Sequence, residues 1–83
     1  MPKLTPDNDD YVYWLVGKNI KKQRKKLNIT QHELAEKCCF NDTFISNIEN
    51  DSYQTFSLNT LYHIAKVMGV DIKVFFDEIE EDK

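Results

Sequence analysis

The segment TQHELAEKCCFNDTFISNIEND, residues 30–51, carries the strongest structural signals in this chain. Thr30 is followed three positions later by Glu33, and this spacing is typical of a capping box. In that motif the hydroxyl and the carboxylate each accept a hydrogen bond from a free backbone N–H at the start of a helix. We therefore predict a helix that runs from this box to Cys38.

A further helix follows after a short turn. Cys39 occupies the exit position of the preceding helix, where a left-handed backbone conformation favours glycine, so a cysteine there indicates either local strain or a different turn. Asn41 has a side chain that commonly caps a helix start, and we predict a helix from there to about Asn50. The segment is thus two short helices joined by a tight turn.

Three more helices are predicted outside this segment. One runs from residue 9 or 10 to about residue 26, and Ser57 and Gly69 carry the start and end signals of another. Asp71 caps a last helix, which carries a surplus of apolar residues. No segment alternates between apolar and polar residues as a strand does, so we predict an all-α domain of five helices.

Length and composition indicate one small domain. The chain has 83 residues and a net charge of −3. We predict a flexible arm over residues 1–10, a folded domain over residues 11–77 and an acidic tail over residues 78–83. Basic residues crowd residues 18–26, so the charge is unevenly distributed. No apolar run has membrane-spanning length and no signal peptide is present, so we expect a cytoplasmic location.

Almost nothing in the sequence supports an enzymatic function. His32 and His63 have no neighbours at the spacing of a catalytic or metal-binding constellation, and no glycine-rich phosphate loop is present. Cys38 and Cys39 are adjacent, which disfavours a disulfide between them, and we expect a structural role for both. We expect no metal, no cofactor and no small-molecule ligand.

The third helix has one face of small, uncharged, polar side chains. At about 100° per residue, Ile45, Ile48 and Glu49 point to one side. The opposite face and its flank carry Asp42, Thr43, Ser46, Asn47 and Asn50. Short hydrogen-bonding side chains let a helix lie deep in the major groove of DNA, and a plain solvated surface is an equally good interpretation of this face alone.

Two further features favour the DNA interpretation. A capped helix, a short turn and a small polar helix form the helix-turn-helix arrangement. Arg24 lies on the inward line of the first helix with Val16, Ile20 and Leu27, and Glu49 lies on the inward line of the third. Two inward charges of opposite sign predict a structural ion pair between these helices.

These features together resemble the Cro/repressor family of helix-turn-helix transcription regulators. The resemblance rests on Arg24, on Thr30-Gln31 with Glu33-Leu34-Ala35, on residues 45–50, and on the run from Leu61 to Val70. The family includes phage repressors, restriction–modification controllers and xenobiotic-response-element-type regulators. It implies a five-helix domain that binds a palindromic DNA operator as a homodimer.

The resemblance also implies roles for individual residues. Gln31 resembles the phosphate-contacting glutamine of the family, and we expect further phosphate contacts from Asn50, Ser52 and Tyr53. Lys22 and Lys25 are also candidate phosphate contacts, although a solvated face is an equally good interpretation of the lysines of the first helix. Positions that resemble the base contacts of the family are Asp42, Thr43, Phe44, Ser46 and Asn47. Cys39 and Asp51 depart from the residues usual at the ends of these two helices, and the following loop lacks the usual Lys or Arg.

The remaining residues indicate interaction partners of the protein and an alternative function. The apolar surplus of the last helix predicts a dimer interface at Val74, Phe75, Phe76 and Ile79, although Phe75 and Phe76 would also serve to cap the core. Glu36 is a candidate contact with RNA polymerase if the protein activates transcription. The alternative function is that of an antitoxin or anti-repressor, in which residues 11–15 bind a partner protein.

Overall fold

The computed structural model describes residues 5–50 and 54–79 as an arrangement of helices. Its elements are α1 (Tyr11–Lys26), α2 (Gln31–Cys38), α3 (Asp42–Glu49), α4 (Leu58–Met68) and a C-terminal 3-10 helix (Ile72–Phe76). These two described ranges contain no strand, and the all-α prediction is confirmed. No helix in them is both long and apolar enough to span a bilayer.

The last element differs from the predicted fifth α-helix. It is a five-residue 3-10 helix that ends at Phe76, where the sequence predicted a helix reaching Ile79. The side-chain Nδ2 of buried Asn19 donates hydrogen bonds to the carbonyl oxygens of Phe75, at 2.8 Å, and of Asp77, at 2.7 Å. Because α1 supplies the donors for these carbonyls, the backbone does not need a further helical turn to satisfy them.

The predicted capping residues occupy the helix starts. The Thr30 hydroxyl accepts a hydrogen bond from the backbone N–H of Glu33 at 3.0 Å, and the Glu33 carboxylate accepts one from the N–H of Thr30 at 2.7 Å. The side chains of Asn41 and Ser57 cap α3 and α4, each by accepting a hydrogen bond from the backbone N–H three residues later. Cys39 has a left-handed backbone conformation, with φ of 62°, so local strain rather than a different turn applies at this position. Local signals in the sequence therefore place these boundaries.

One hydrophobic core joins the elements. α1 packs against α3 and the 3-10 helix, and α2 packs against α3 and α4. The core consists of Val16, Ile20, Leu34, Ala35, Cys38, Ile45, Ile48, Leu61, Ile64, Ala65, Met68 and Phe75. Leu27 was wrongly assigned to the inward line of α1: it is the residue after the last helical turn and is 45% exposed.

A close contact between backbones sets the position of α3. Gly17 of α1 faces the last turn of α3, where a Cβ atom built on it would lie 2.0 Å from the carbonyl oxygen of Ile48. Lys18, the next residue, donates a hydrogen bond from Nζ to the carbonyl oxygen of Glu49 at 3.4 Å. Glycine at position 17 therefore lets α1 and α3 approach more closely than any side chain would permit.

The N-terminal aromatic segment packs mainly within the molecule. Trp14 and Leu15 are buried, and the Tyr13 ring makes an edge contact with Phe56 at 5.1 Å between centroids. Val12 is the large apolar side chain of this segment that remains exposed. Residues 5–10, in the predicted arm, form hydrogen-bonded turns. The rest of that arm, residues 1–4, and most of the predicted acidic tail, residues 80–83, lie outside the described residues.

Candidate nucleic-acid interface

An open cleft lies where α1 ends and α2 and α3 begin. Its volume is about 810 Å³, and its lining combines cationic, amide and hydroxyl groups. The lining residues are Arg24, Lys25, Asn28, Ile29, Thr30, Gln31, His32, Asp42, Thr43 and Ser46. The cleft thus brings two predicted phosphate contacts, Lys25 and Gln31, next to three predicted base contacts, Asp42, Thr43 and Ser46.

The polar face of α3 lies at the surface. Asp42 and Thr43 are exposed in the first turn, and Ser46 and Asn47 are half-buried in the second. The hydroxyl oxygen of Ser46 accepts a hydrogen bond from the amide of Asn50 at 3.0 Å, and the amide of Asn47 lies 3.5 Å from the side-chain oxygen of Gln54. Ser46 and Asn47 are therefore held by side-chain hydrogen bonds at a surface that remains partly accessible.

Phe44 has a different environment from the other predicted base contacts. It is half-buried and packs against the core. Its ring makes an edge contact with Phe40, which lies in the turn between α2 and α3, at 5.1 Å between ring centroids. Phe44 therefore supports the turn, and it is absent from the lining of the cleft.

Arg24 and Glu49 form an ion pair beneath this surface. Nε and Nη2 of Arg24 donate to the two carboxylate oxygens of Glu49 at 2.9 and 3.0 Å, and Nη1 donates to the carbonyl oxygen of Ile29 at 2.7 Å. Gln31 also donates to Glu49, from Nε2 at 3.0 Å. The Glu49 carboxylate at the end of α3 therefore joins the end of α1 to the start of α2, and Arg24 also holds the loop after α1 through Ile29.

His32, which lines the cleft, has a partner on the neighbouring helix. Its Nδ1 atom lies 2.9 Å from Oδ2 of Asp42, so the contact bridges the first turns of α2 and α3. The hydrogen bond to Asp42 and the negative charges around the ring raise the pKa of His32 above its usual value of 6.5. Sequence alone gives no signal for this pair, because the two residues belong to different helices.

The other predicted phosphate contacts lie outside the cleft lining. Lys22 and Asn50 are exposed, on α1 and just after α3. Ser52 and Tyr53 lie outside the described residues, as does Asp51. Glu36, the candidate polymerase contact, is exposed on α2, and its carboxylate lies 3.6 Å from Nε2 of His32.

The predicted dimer interface requires one correction. Phe75 is fully buried in the core, on a 3-10 helix that packs against α1 and α4, so its side chain is not available to a partner. Val74 and Ile79 are half-buried, and Phe76 is 42% exposed. Phe76 also lines a shallow apolar groove with Val12 and Leu58, among others.

The two cysteines differ in their surroundings. Cys38 is buried in the core, and desolvation, with a smaller contribution from Cys39, raises the pKa of its thiol to about 11. A thiol with so high a pKa is unreactive at neutral pH. Cys39 is exposed at the end of α2. Within residues 5–50 and 54–79, no three His, Cys, Asp or Glu side chains come together as a metal site would require.

Comparison with known proteins agrees with this geometry. Residues 17–81 match the family model described as a helix-turn-helix domain. The chain belongs to the helix-turn-helix family. This helix-turn-helix chain is also 36% identical over 63 residues to the immunity repressor protein of Bacillus phage phi105. The aligned part is 76% of this chain and 43% of the repressor, so the chain spans less than half the length of that relative. No solved structure is significantly similar to this helix-turn-helix chain.

The match confirms the family predicted from the sequence. In the helix-turn-helix motif, the second helix enters the major groove and its N-terminal residues contact base edges. Here α2 and α3 are the two helices of the motif, and the residues at the start of α3 are those that line the cleft.

Proposed function

We propose that this protein is a transcription regulator that binds double-stranded DNA and recognises its sequence through α3. The observation that carries the proposal is the cleft, in which Thr43 and Ser46 of α3 lie beside Lys25 and the first turn of α2. A base-reading surface and a phosphate-binding surface are thus adjacent, as insertion of a helix into the major groove requires.

Base recognition in this proposal depends on short side chains. Thr43 and Ser46 have hydroxyl groups that both donate and accept hydrogen bonds, and Asn47 has an amide that can pair with adenine through two hydrogen bonds. Asp42 is a candidate acceptor for the amino group of cytosine. Phe44 supports these residues through the turn, as its contact with Phe40 indicates.

Phosphate binding is assigned to groups around this surface. Lys25 lines the cleft at the end of α1, and the start of α2 carries the positive end of a helix dipole. Gln31 keeps one N–H of its amide for a phosphate while the other is held by Glu49. Lys22 and Asn50 are exposed candidates on either side, and Ser52 and Tyr53 remain candidates from the sequence.

We further propose that the protein binds a palindromic operator as a homodimer. The exposed apolar side chains Val12, Leu58 and Phe76 meet at one groove, and an apolar surface of this kind favours association. Val74 lies in the 3-10 helix and Ile79 follows it, and both are half-buried. We retain them as candidate contacts of the dimer interface. Two α3 helices in such a dimer would read half-sites about one turn of DNA apart.

Repression is the mode of regulation that the relative supports. The phage protein that aligns with 76% of this chain is an immunity repressor. A protein bound at an operator represses by occupying DNA that polymerase needs. Activation would require a contact with RNA polymerase, for which exposed Glu36 on α2 is our candidate. The antitoxin alternative has less support, because Trp14 and Leu15 of its proposed binding segment are buried.

The test is selection of duplexes from a random-sequence library, followed by gel-shift of the enriched sequence. We expect Ser46→Ala and Asn47→Ala to lose about 1–3 kcal/mol of discrimination at particular base pairs. Lys25→Ala should weaken binding to all DNA sequences alike. It should also lower the slope of log affinity against log salt concentration by about one. Lys73→Ala, an exposed lysine on the 3-10 helix, is the control. Unchanged preference in both α3 variants would remove α3 as the reading helix.

A further inference from the structure

His32 and Asp42 form a contact at the mouth of the cleft. The Nδ1 atom of His32 lies 2.9 Å from Oδ2 and 3.0 Å from Oδ1 of Asp42. Their side chains are 63% and 62% exposed, so the pair belongs to the surface that would face DNA. Both residues are in the first turn of their helices, α2 and α3, and the contact therefore spans the two helices of the motif.

The charges around His32 favour its protonated form. On its own helix, Glu36 lies 3.6 Å from Nε2 of the ring, and Glu33 adds a weaker negative charge. From α3 the ring faces Asp42. These groups together raise the pKa of His32, and the hydrogen bond with Asp42 has the largest effect.

Two cations of α1 line the same cleft. Arg24 is held by Glu49, which neutralises it, and Lys25 is exposed. The groups that raise the pKa of His32 are the acidic side chains of α2 and α3. The imidazolium is therefore the positive partner that stands directly against Asp42.

A carboxylate at this position creates a problem for DNA binding. Asp42 is exposed in the first turn of the helix that would enter the groove, where phosphates approach from both strands. Its charge would repel them, and the repulsion is modest in water but grows where solvent is displaced. A protonated His32 in contact with Asp42 neutralises the negative charge of the carboxylate.

We propose that the His32–Asp42 contact links DNA binding to a proton: protonated His32 neutralises Asp42 and permits tight binding, and loss of the proton exposes a carboxylate that weakens it. The inference rests on the DNA-binding function proposed above. It identifies His32 as a positioning residue, which acts on DNA through Asp42.

The direction of the pH effect follows from the raised pKa. His32 holds its proton below its raised pKa and releases it as the pH rises through that pKa, so affinity for DNA falls as the pH rises above the usual range of histidine. The negative potential of bound DNA stabilises the proton further, and the fall is displaced to higher pH in the complex.

The experiment measures affinity for the duplex enriched by selection, and for a random duplex, at pH values below and above the pKa of His32 and at constant ionic strength. We expect the wild-type protein to lose roughly three- to tenfold in affinity, as one added negative charge near phosphates implies. His32→Gln should bind equally at all pH values, at the affinity of the wild type at high pH. Asp42→Asn should also lose most of the pH dependence, whatever its absolute affinity.

His63→Gln is the matched control. His63 is the second histidine of the chain, and its Nε2 atom lies 3.0 Å from the carbonyl oxygen of Cys38, away from the cleft. This variant should keep the pH dependence of the wild type. The melting temperature of every variant is measured at both ends of the pH range, so that unfolding is not taken for weaker binding.

A second readout tests the pair without DNA. The pKa of His32 is measured by NMR titration of the wild type and of Asp42→Asn, and we expect it to fall in the variant. Equal values would overturn the inference. So would specific binding that is independent of pH, or a pH effect that disappears in His63→Gln, and either result leaves the proposed function intact. Absence of specific binding at every pH would overturn the proposed function and this inference with it.

Discussion

The guanidinium of Arg24 and the carboxylate of Glu49 meet in the interior through two hydrogen bonds of 2.9 and 3.0 Å. Glu49 is fully buried and Arg24 nearly so. Glu49 is the last residue of α3, and Arg24 lies in the last turn of α1. The pair therefore fixes the end of the proposed reading helix to the longest helix of the domain.

Removal of Arg24 should destabilise the protein strongly. In Arg24→Ala the Glu49 carboxylate stays buried with the Gln31 amide as its side-chain donor, and such an unpaired charge costs about 3–5 kcal/mol. We expect a melting temperature lower by more than about 10 °C, measured by circular dichroism. Lys22→Ala, which changes an exposed lysine of the same helix, should shift stability by less than about 0.5 kcal/mol. Equal shifts in the two variants would contradict a structural role for the pair.

This pair also shows how far the sequence predicts the structure. Arg24 and Glu49 lie on inward lines of helices whose boundaries are set by local signals, and two such charges must find each other or remain unpaired. The caps at Thr30, Asn41 and Ser57 are equally local, because each involves neighbouring residues. Features that depend on helical period and on capping were therefore predictable.

Side-chain contacts that depend on the angles between helices could not be predicted from the sequence in this way. Asn19 reaches carbonyl oxygens 56 and 58 residues further along the chain, and this contact accompanies a 3-10 helix where an α-helix was expected. The His32–Asp42 contact likewise depends on the angle between α2 and α3. Neither pattern of residues has a distinctive spacing in the sequence.

Gly17 should be intolerant of any side chain. In Gly17→Ala the new methyl group would meet the Ile48 carbonyl oxygen at 2.0 Å, so α1 and α3 must separate. The variant gains helix propensity of about 1 kcal/mol, but overpacking against backbone costs about 3 kcal/mol, and we expect a net loss of stability. Because α3 moves with respect to the cleft, we also expect weaker DNA binding under conditions where the variant is folded.

Gly69→Ala provides the comparison for that variant. Gly69 has φ of 71° and a Cβ atom there would have nothing within 4 Å, so the cost is limited to about 1–2 kcal/mol of backbone strain. DNA affinity of the folded protein should be unchanged. If the two alanine variants lost affinity alike, the position of α3 would not depend on its close contact with α1.

Cys39→Gly should stabilise the protein. Cys39 holds a left-handed conformation with φ of 62°, which is strained for a residue with a Cβ atom and free of strain for glycine. We expect a gain of about 1 kcal/mol in the free energy of unfolding, measured by urea denaturation under reducing conditions. Cys39→Ala keeps the strain and should change stability by less than about 0.5 kcal/mol; a gain of the same size in that variant would point to the thiol rather than the backbone.

The apolar groove at the start of α4 should control the oligomeric state. Leu58 is 71% exposed and Phe76 is 42% exposed, and both line this groove with Val12. Replacing a buried interface leucine or phenylalanine with serine removes apolar area worth roughly 25 cal/mol per Å². We therefore expect the double variant Leu58→Ser/Phe76→Ser to raise the dimer dissociation constant by at least about a hundredfold in sedimentation equilibrium.

Leu27→Ser is the matched control for that variant, because Leu27 is a similarly exposed apolar residue, 45% accessible, at the opposite end of α1 from Val12. It should leave the dissociation constant unchanged. In gel-shift, the double variant should bind a single half-site as the wild type does and lose its preference for the full palindrome, since each protomer keeps its own α3. A double variant that remained dimeric would place the interface elsewhere, and a wild type that stayed monomeric on the palindrome would exclude the symmetric dimer.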